Sequence, residues 1–135
     1  MTLVHRGIGR MRRSERGSAV VDFVMILVVL LPLFAALLQL ALVLHVRNTL
    51  SSAAAEGARR AAVSGATMED GRAKTIEQIV GTVNERYADG VSIAPADVGG
   101  SPGYRVTVTA SVPVLGLGGP AIDVTVSGNA IIESP

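Results

Sequence analysis

Chemistry at a protein site needs side chains that move protons, act as nucleophiles or hold a metal, and this chain gathers few of them. His5 and His45 are isolated, one near the N-terminus and one beyond a long apolar run, with no partner at metal-ligand spacing. Cysteine is absent, so disulfides, redox chemistry and Cys-based metal sites are excluded. Gly116-Leu-Gly-Gly-Pro follows a strand pattern, as a phosphate-cradling loop does, but it leads to Pro120 and another strand instead of a helix N-terminus. Glu69, Asp70, Asp89 and Asp97 stand at turns and helix starts, where capping and solubility account for them. No Ser sits in a nucleophile-elbow sequence. The expectation is a non-enzyme with no metal and no cofactor.

Asp22 is harder to dismiss. It is the last charge before an apolar segment, five residues after Gly17. A carboxylate at bilayer depth is costly, so it snorkels, pairs or serves a function. Two readings stand side by side: an interfacial Asp near Arg16, or a role tied to its distance from Gly17.

The element that positions Asp22 is the run from Phe23 to Leu44, in which only Pro32 and Gln39 are not hydrophobic. As a helix these 22 residues reach roughly 33 Å, enough for a hydrocarbon core of about 30 Å. A secretory h-region is shorter, about 7–15 residues, which favours a retained anchor over a cleaved signal peptide. Residues 1–17 carry five Arg (Arg6, Arg10, Arg12, Arg13, Arg16) against Glu15, and the remainder is net acidic. Positive flanks stay cytoplasmic, so the expected orientation is N-terminus in and C-terminal domain outside a cytoplasmic (inner) membrane, single-pass. The same Arg-rich arm could suggest nucleic acid or a twin-arginine signal. It lacks interleaved aromatics for the first, and apolar residues after Arg12-Arg13 for the second. No nucleic-acid partner is expected; the lipid bilayer is.

Past the membrane, residues 45–65 read as a continuing helix, Ala-rich and free of Pro, with Glu56 able to pair with Arg59 or Arg60. Small residues at 53, 54, 57, 58, 61 and 62 leave one side nearly smooth, open to close approach by another helix; they are also simply good helix formers. Gly65 is a plausible stop. Thr67 as N-cap, with Glu69 and Asp70 behind it, opens a second helix with Ile76, Ile79, Val80, Val83 and Tyr87 on one stripe, ending at Gly90. Tyr104–Val114 and Ile122–Ala130 alternate strictly and predict an antiparallel hairpin with one buried face. Tyr104, Val106, Val108, Ala110, Val112 and Val114 fall on that face, as do Ile122, Val124, Val126 and Ala130. Val91-Ser92-Ile93 is a candidate short third strand, and residues 99–103 a turn or loop. The expected fold class is α+β: a long N-terminal transmembrane helix extending out of the membrane, then a small extracytoplasmic domain with one helix and an antiparallel β-hairpin. The expected divisions are a basic cytoplasmic leader at 1–17, the membrane helix at 18–44, its extension at 45–65 and the head at 66–135.

Arg16-Gly17-Ser18-Ala19-Val20-Val21-Asp22-Phe23, set between a basic leader and an apolar helix, resembles the processing site of type IV prepilins and pseudopilins. Within that superfamily the chain resembles the TadE-like minor pseudopilins of tight-adherence (Flp) pilus systems. Ala54-Ala-Glu-Gly-Ala-Arg-Arg-Ala-Ala62 is similar to that group's segment just past the membrane, and the helix with Val/Thr strands to its small outer domain. The resemblance departs at Asp22, where Glu is usual and one methylene longer.

The resemblance implies cleavage by prepilin peptidase between Gly17 and Ser18, with Asp22 as the carboxylate that meets a neighbour's new amine during assembly. It implies a helix-packing segment at Glu56, Gly57, Ala58 and Arg59. Other pilin-like subunits and a membrane assembly platform would be the partners, and adhesive Flp-type pili the product. The alternatives are an unprocessed single-pass membrane-anchored interaction module, or a secreted envelope protein released by signal peptidase.

Overall fold

The apolar run and the Ala-rich stretch form one helix, α1 (Arg12–Ala62). The computed structural model describes residues 12–114 and 120–133, with side chains from residue 17 onward. Most of the expected leader, His5 included, and residues 115–119 of the expected hairpin loop lie outside them. After α1 come α2 (Met68–Thr82), a 3₁₀ turn (Glu85–Ala88), and the strands β1 (Val91–Val98), β2 (Ser101–Pro113) and β3 (Ala121–Ile131). The architecture is α+β.

The chain divides between Leu38 and Gln39 into two compact units. In the first, the large apolar side chains from Val20 to Leu38 are exposed, with only Leu27 and Ala35 partly covered. In water such a surface would be unstable, whereas in lipid it is the expected lining. Among the described residues α1 is the one helix long and apolar enough to cross a membrane. Pro32 lies inside it and has no N–H for the carbonyl one turn back.

The second unit begins at Gln39, so the later part of α1 belongs to the head's core. Val46, Leu50, Ala53, Ala54, Ala58, Ala61 and Ala62 are buried at steps of one, three and four, the pattern of a helix with one covered side. α1 stops at Ala62, and Gly65 follows with φ +79, a conformation that favours glycine.

Thr67 caps α2 through a full capping box. Its hydroxyl accepts from the Asp70 N–H (3.2 Å), while the Asp70 carboxylate accepts from the Thr67 N–H (2.7 Å) and hydroxyl (2.8 Å). The Thr67 backbone, and then its side chain, hold the Asp70 carboxyl below its ordinary range. The helix ends at Thr82, earlier than the periodicity predicts, because Val83 leaves helical geometry (φ −126, ψ −133). Asn84 then caps the 3₁₀ turn, which buries Tyr87. The buried stripe is Gly71, Thr75 and Ile79, while Val80, expected on it, is exposed. At about 100° per residue Val80 lies a further 100° or so around the helix from Ile79 and opposite Gly71, off that stripe.

The sheet is an antiparallel meander in the order β1-β2-β3, so the hairpin gains a full third strand of eight residues. Val91 pairs with Val108 and Val98 with Ser101, leaving Gly99 and Gly100 as a two-residue turn with φ +64 and +86. That is the paired positive-φ geometry tight hairpins require, and the Asp97 carboxylate accepts from the Gly100 N–H at 2.8 Å. Ser101, Pro102 and Gly103, expected in a turn or loop, are the start of β2. Val106, Val108, Ala110, Val112, Val124 and Val126 face inward as the alternation predicts. Val114 and Ile122 do not: both are exposed, at 38% and 44%, at the end of the sheet beyond the reach of the core. The opposite face carries cross-strand pairs, Arg105 to Asn129 (2.9 Å), Thr109 with Thr125, and Ser111 to Asp123.

Candidate functional site

Gly17, Ser18 and Asp22 all lie on α1 and are all exposed. The chain is helical through Gly17, the residue whose missing side chain makes helix least favourable after proline. Ser18 and Asp22 are four residues apart, so they share one side of the helix about 6 Å apart along its axis. Among the described residues Asp22 makes no ion pair. The Arg16 side chain, its alternative partner, lies outside the described residues.

Glu56, Gly57, Ala58 and Arg59 lie in the second unit. Glu56 and Arg59 are bridged at 3.4 Å on the open side of α1. An exposed pair of this kind adds little stability. Gly57 and Ala58 are buried. What covers Gly57 is α2 of the same chain: a Cβ there would collide with the Thr75 hydroxyl and lie 2.7 Å from the Gly71 carbonyl oxygen. Thr75, fully buried, satisfies its own hydroxyl by donating to that carbonyl at 2.9 Å. On β3, Gly128 lies against the backbone of Ala54 and Ala55 just as closely. The smooth side of the helix is therefore taken up within the head. What stays open on this stretch of α1 is Ser51, Ser52, Glu56, Arg59 and Arg60, beside Gln78 of α2.

Three positions in this packing escaped the sequence reading. Gly71 and Gly128 are isolated glycines inside a helix and a strand, and that placement is itself the signal of a close backbone approach. Gln39, the polar interruption of the apolar run, donates to the Pro113 carbonyl at 3.5 Å. Nothing in its local sequence pointed to that partner. His45 is exposed. Among the described residues no three His, Cys, Asp or Glu side chains are grouped to hold a metal.

Residues 17–59 match the family model described as TadE-like protein. The chain is TadE-like over that stretch. The match begins at Gly17 and ends at Arg59, and so contains the expected processing, assembly and helix-packing residues. The TadE-like family suggests a role in Tad pilus assembly, in the company of other pilin-like subunits. No curated protein and no solved structure matches the chain.

Proposed function

We propose that this TadE-like chain is a minor pseudopilin and not an enzyme. It is held N-terminus inward in the cytoplasmic membrane, cut by prepilin peptidase between Gly17 and Ser18, and then drawn laterally into a tight-adherence pilus or its initiating complex. The observation that supports this best is the junction on α1. Gly17 ends the basic stretch, the apolar helix follows, and Asp22 stands one turn beyond Ser18. Cleavage at Gly17 has to unwind a helical turn, and glycine lowers that cost by about 1 kcal/mol relative to alanine.

The new ammonium at Ser18 and the carboxylate of a neighbouring Asp22 then neutralise each other in a water-poor bundle, where either alone is expensive. Platform proteins and sister subunits engage the membrane helix, and the head faces outward as part of an adhesive surface.

N-terminal sequencing or intact mass of the protein from its native membrane tests this. The expected mature chain starts at Ser18, and processing is lost in Gly17→Ala and in cells without prepilin peptidase. A chain still starting near Met1 in peptidase-containing cells would leave the unprocessed anchored module. A start beyond Ala53 would make it a secreted protein.

A further inference from the structure

The apolar stretch between Asp22 and the start of the second compact unit is too short to span a bilayer by itself. Phe23–Leu38 is 16 residues, about 24 Å of helix against a hydrocarbon core of about 30 Å. The missing turn is Gln39–Leu44, and that turn already belongs to the second compact unit. One side of it is covered there: Leu42 and Val43 pack on the core, and Gln39 donates to the Pro113 carbonyl. Its other side is open, with Leu40 55% and Leu44 46% exposed.

The end of the sheet beside this turn is apolar and open as well. Val114 follows the Pro113 carbonyl held by Gln39, and Ile122 pairs with Val112 one step along the ladder. These are the two hairpin positions whose side chains alternation assigns to the buried face and which the core leaves exposed. Wherever the Gln39–Leu44 turn sits, this end of the sheet sits with it.

We infer that the rim made by Leu40, Leu44, Val114 and Ile122 is embedded in the interface of the outer leaflet, so the head rests in lipid at its hairpin end. The inference depends on α1 crossing a membrane, and it continues that membrane surface onto the head. Two features set its depth. Arg47, exposed on α1 just past Leu44, belongs at headgroup level. Asp123, next to Ile122 but on the other face and bonded to Ser111, keeps the strand end from entering the hydrocarbon centre. The resulting burial is that of an interfacial element, about 5–10 Å below the headgroups.

The chain has no Trp, so a single introduced Trp reports its own surroundings. The full chain is reconstituted at low protein-to-lipid ratio in phosphatidylcholine/phosphatidylglycerol vesicles, with or without acyl-brominated phosphatidylcholine. Single variants are Val114→Trp, Ile122→Trp, Ser101→Trp at the opposite end of the sheet, and Leu30→Trp in the apolar helix. Both rim variants are expected to emit blue of Ser101→Trp, to lose about half their emission to shallow-brominated lipid, and to resist iodide, as a Trp at the interface does. Rim positions as open to iodide as Ser101→Trp, with Leu30→Trp quenched by deep bromines, would overturn the inference while leaving the span intact. Rim positions shielded from iodide but unaffected by bromolipid would overturn it in favour of a second protein copy as the cover. An unquenched Leu30→Trp would overturn the span itself, and the inference with it. Both rim residues are exposed and tested separately, so misfolding of one variant leaves the other to decide.

Discussion

Gly57 of α1 and Gly71 of α2 meet face to face: a Cβ on either would lie 2.6–2.7 Å from the other's carbonyl oxygen. Real Cβ atoms do not approach backbone oxygen so closely, so the helix crossing exists at this separation only because both residues are glycine. The pairing is reciprocal, and the Thr75 hydroxyl fills the space beside it.

Gly57→Ala and Gly71→Ala should therefore each destabilise the head by about 1–3 kcal/mol, the usual range for overpacking a core. Gly81→Ala, in the same helix with open space around it, should be neutral or stabilising by up to about 1 kcal/mol. Denaturant melts followed by circular dichroism on the detergent-solubilised full chain would separate the two classes. Equal effects at Gly71 and Gly81 would mean the crossing is looser than described.

The two parts of α1 should respond differently to truncation. Leu50 is fully buried, so Leu50→Ala is expected to cost the head about 2–5 kcal/mol. Leu30 is 51% exposed on the apolar unit, and Leu30→Ala should leave the head's unfolding midpoint unchanged. Hydrogen exchange of β2 amides gives the readout.

The capping box gives the head an acid-sensitive component. The folded Asp70 carboxyl titrates below its ordinary value, so its contribution is complete above the unfolded carboxylate pKa. It is lost as pH falls through the lower, folded value. Asp70→Asn should flatten this acidic limb of the stability profile without changing the neutral plateau's pH slope. Thr67→Ala removes the reciprocal bond and should cost about 1 kcal/mol at neutral pH. Thermal melts from neutral to acidic pH would show both.

At Asp22 cleavage and assembly should separate. Asp22→Ala is expected to leave the Ser18 N-terminus intact and to lower the amount in sheared surface fibres roughly tenfold or more, because a buried ammonium without its partner costs about 3–5 kcal/mol. Asp22→Glu should restore assembly. Immunoblots of membrane and sheared fractions measure it. Normal assembly of Asp22→Ala would reduce the carboxylate to an interfacial ornament.

Much of this architecture was legible in the residues themselves. Thr67 and Asp70 announced the start of α2, and the Val/Thr alternation gave the register face of β2 and β3, because both signals are local. The end of α2 was not legible. Tyr87 keeps the helical phase, but the chain reaches that phase through a break at Val83 and a 3₁₀ turn. β1 was seen only at its first three residues, since Pro95 and the small residues around it weaken the strand pattern that pairing with Pro102–Arg105 sustains. For the candidate site, Gly17, Ser18 and Asp22 were legible as a spacing. The cover of Gly57 by Gly71, 14 residues away, and the approach of Gly128 to Ala54, 74 residues away, were not, because contacts between distant segments leave no mark in either segment alone.

The contact of Gly128 with the backbone of Ala54 and Ala55 also bears on when the head can finish folding. β3 is what closes over the C-terminal part of α1, joining positions 74 residues apart. Such closures form late, after the entropy of a long loop has been overcome. A nascent chain that has emerged only through β2 still lacks this lid over its helix. The head consequently completes its fold only after β3 has been made, and every shorter chain leaves the Ala54–Ala55 backbone uncovered.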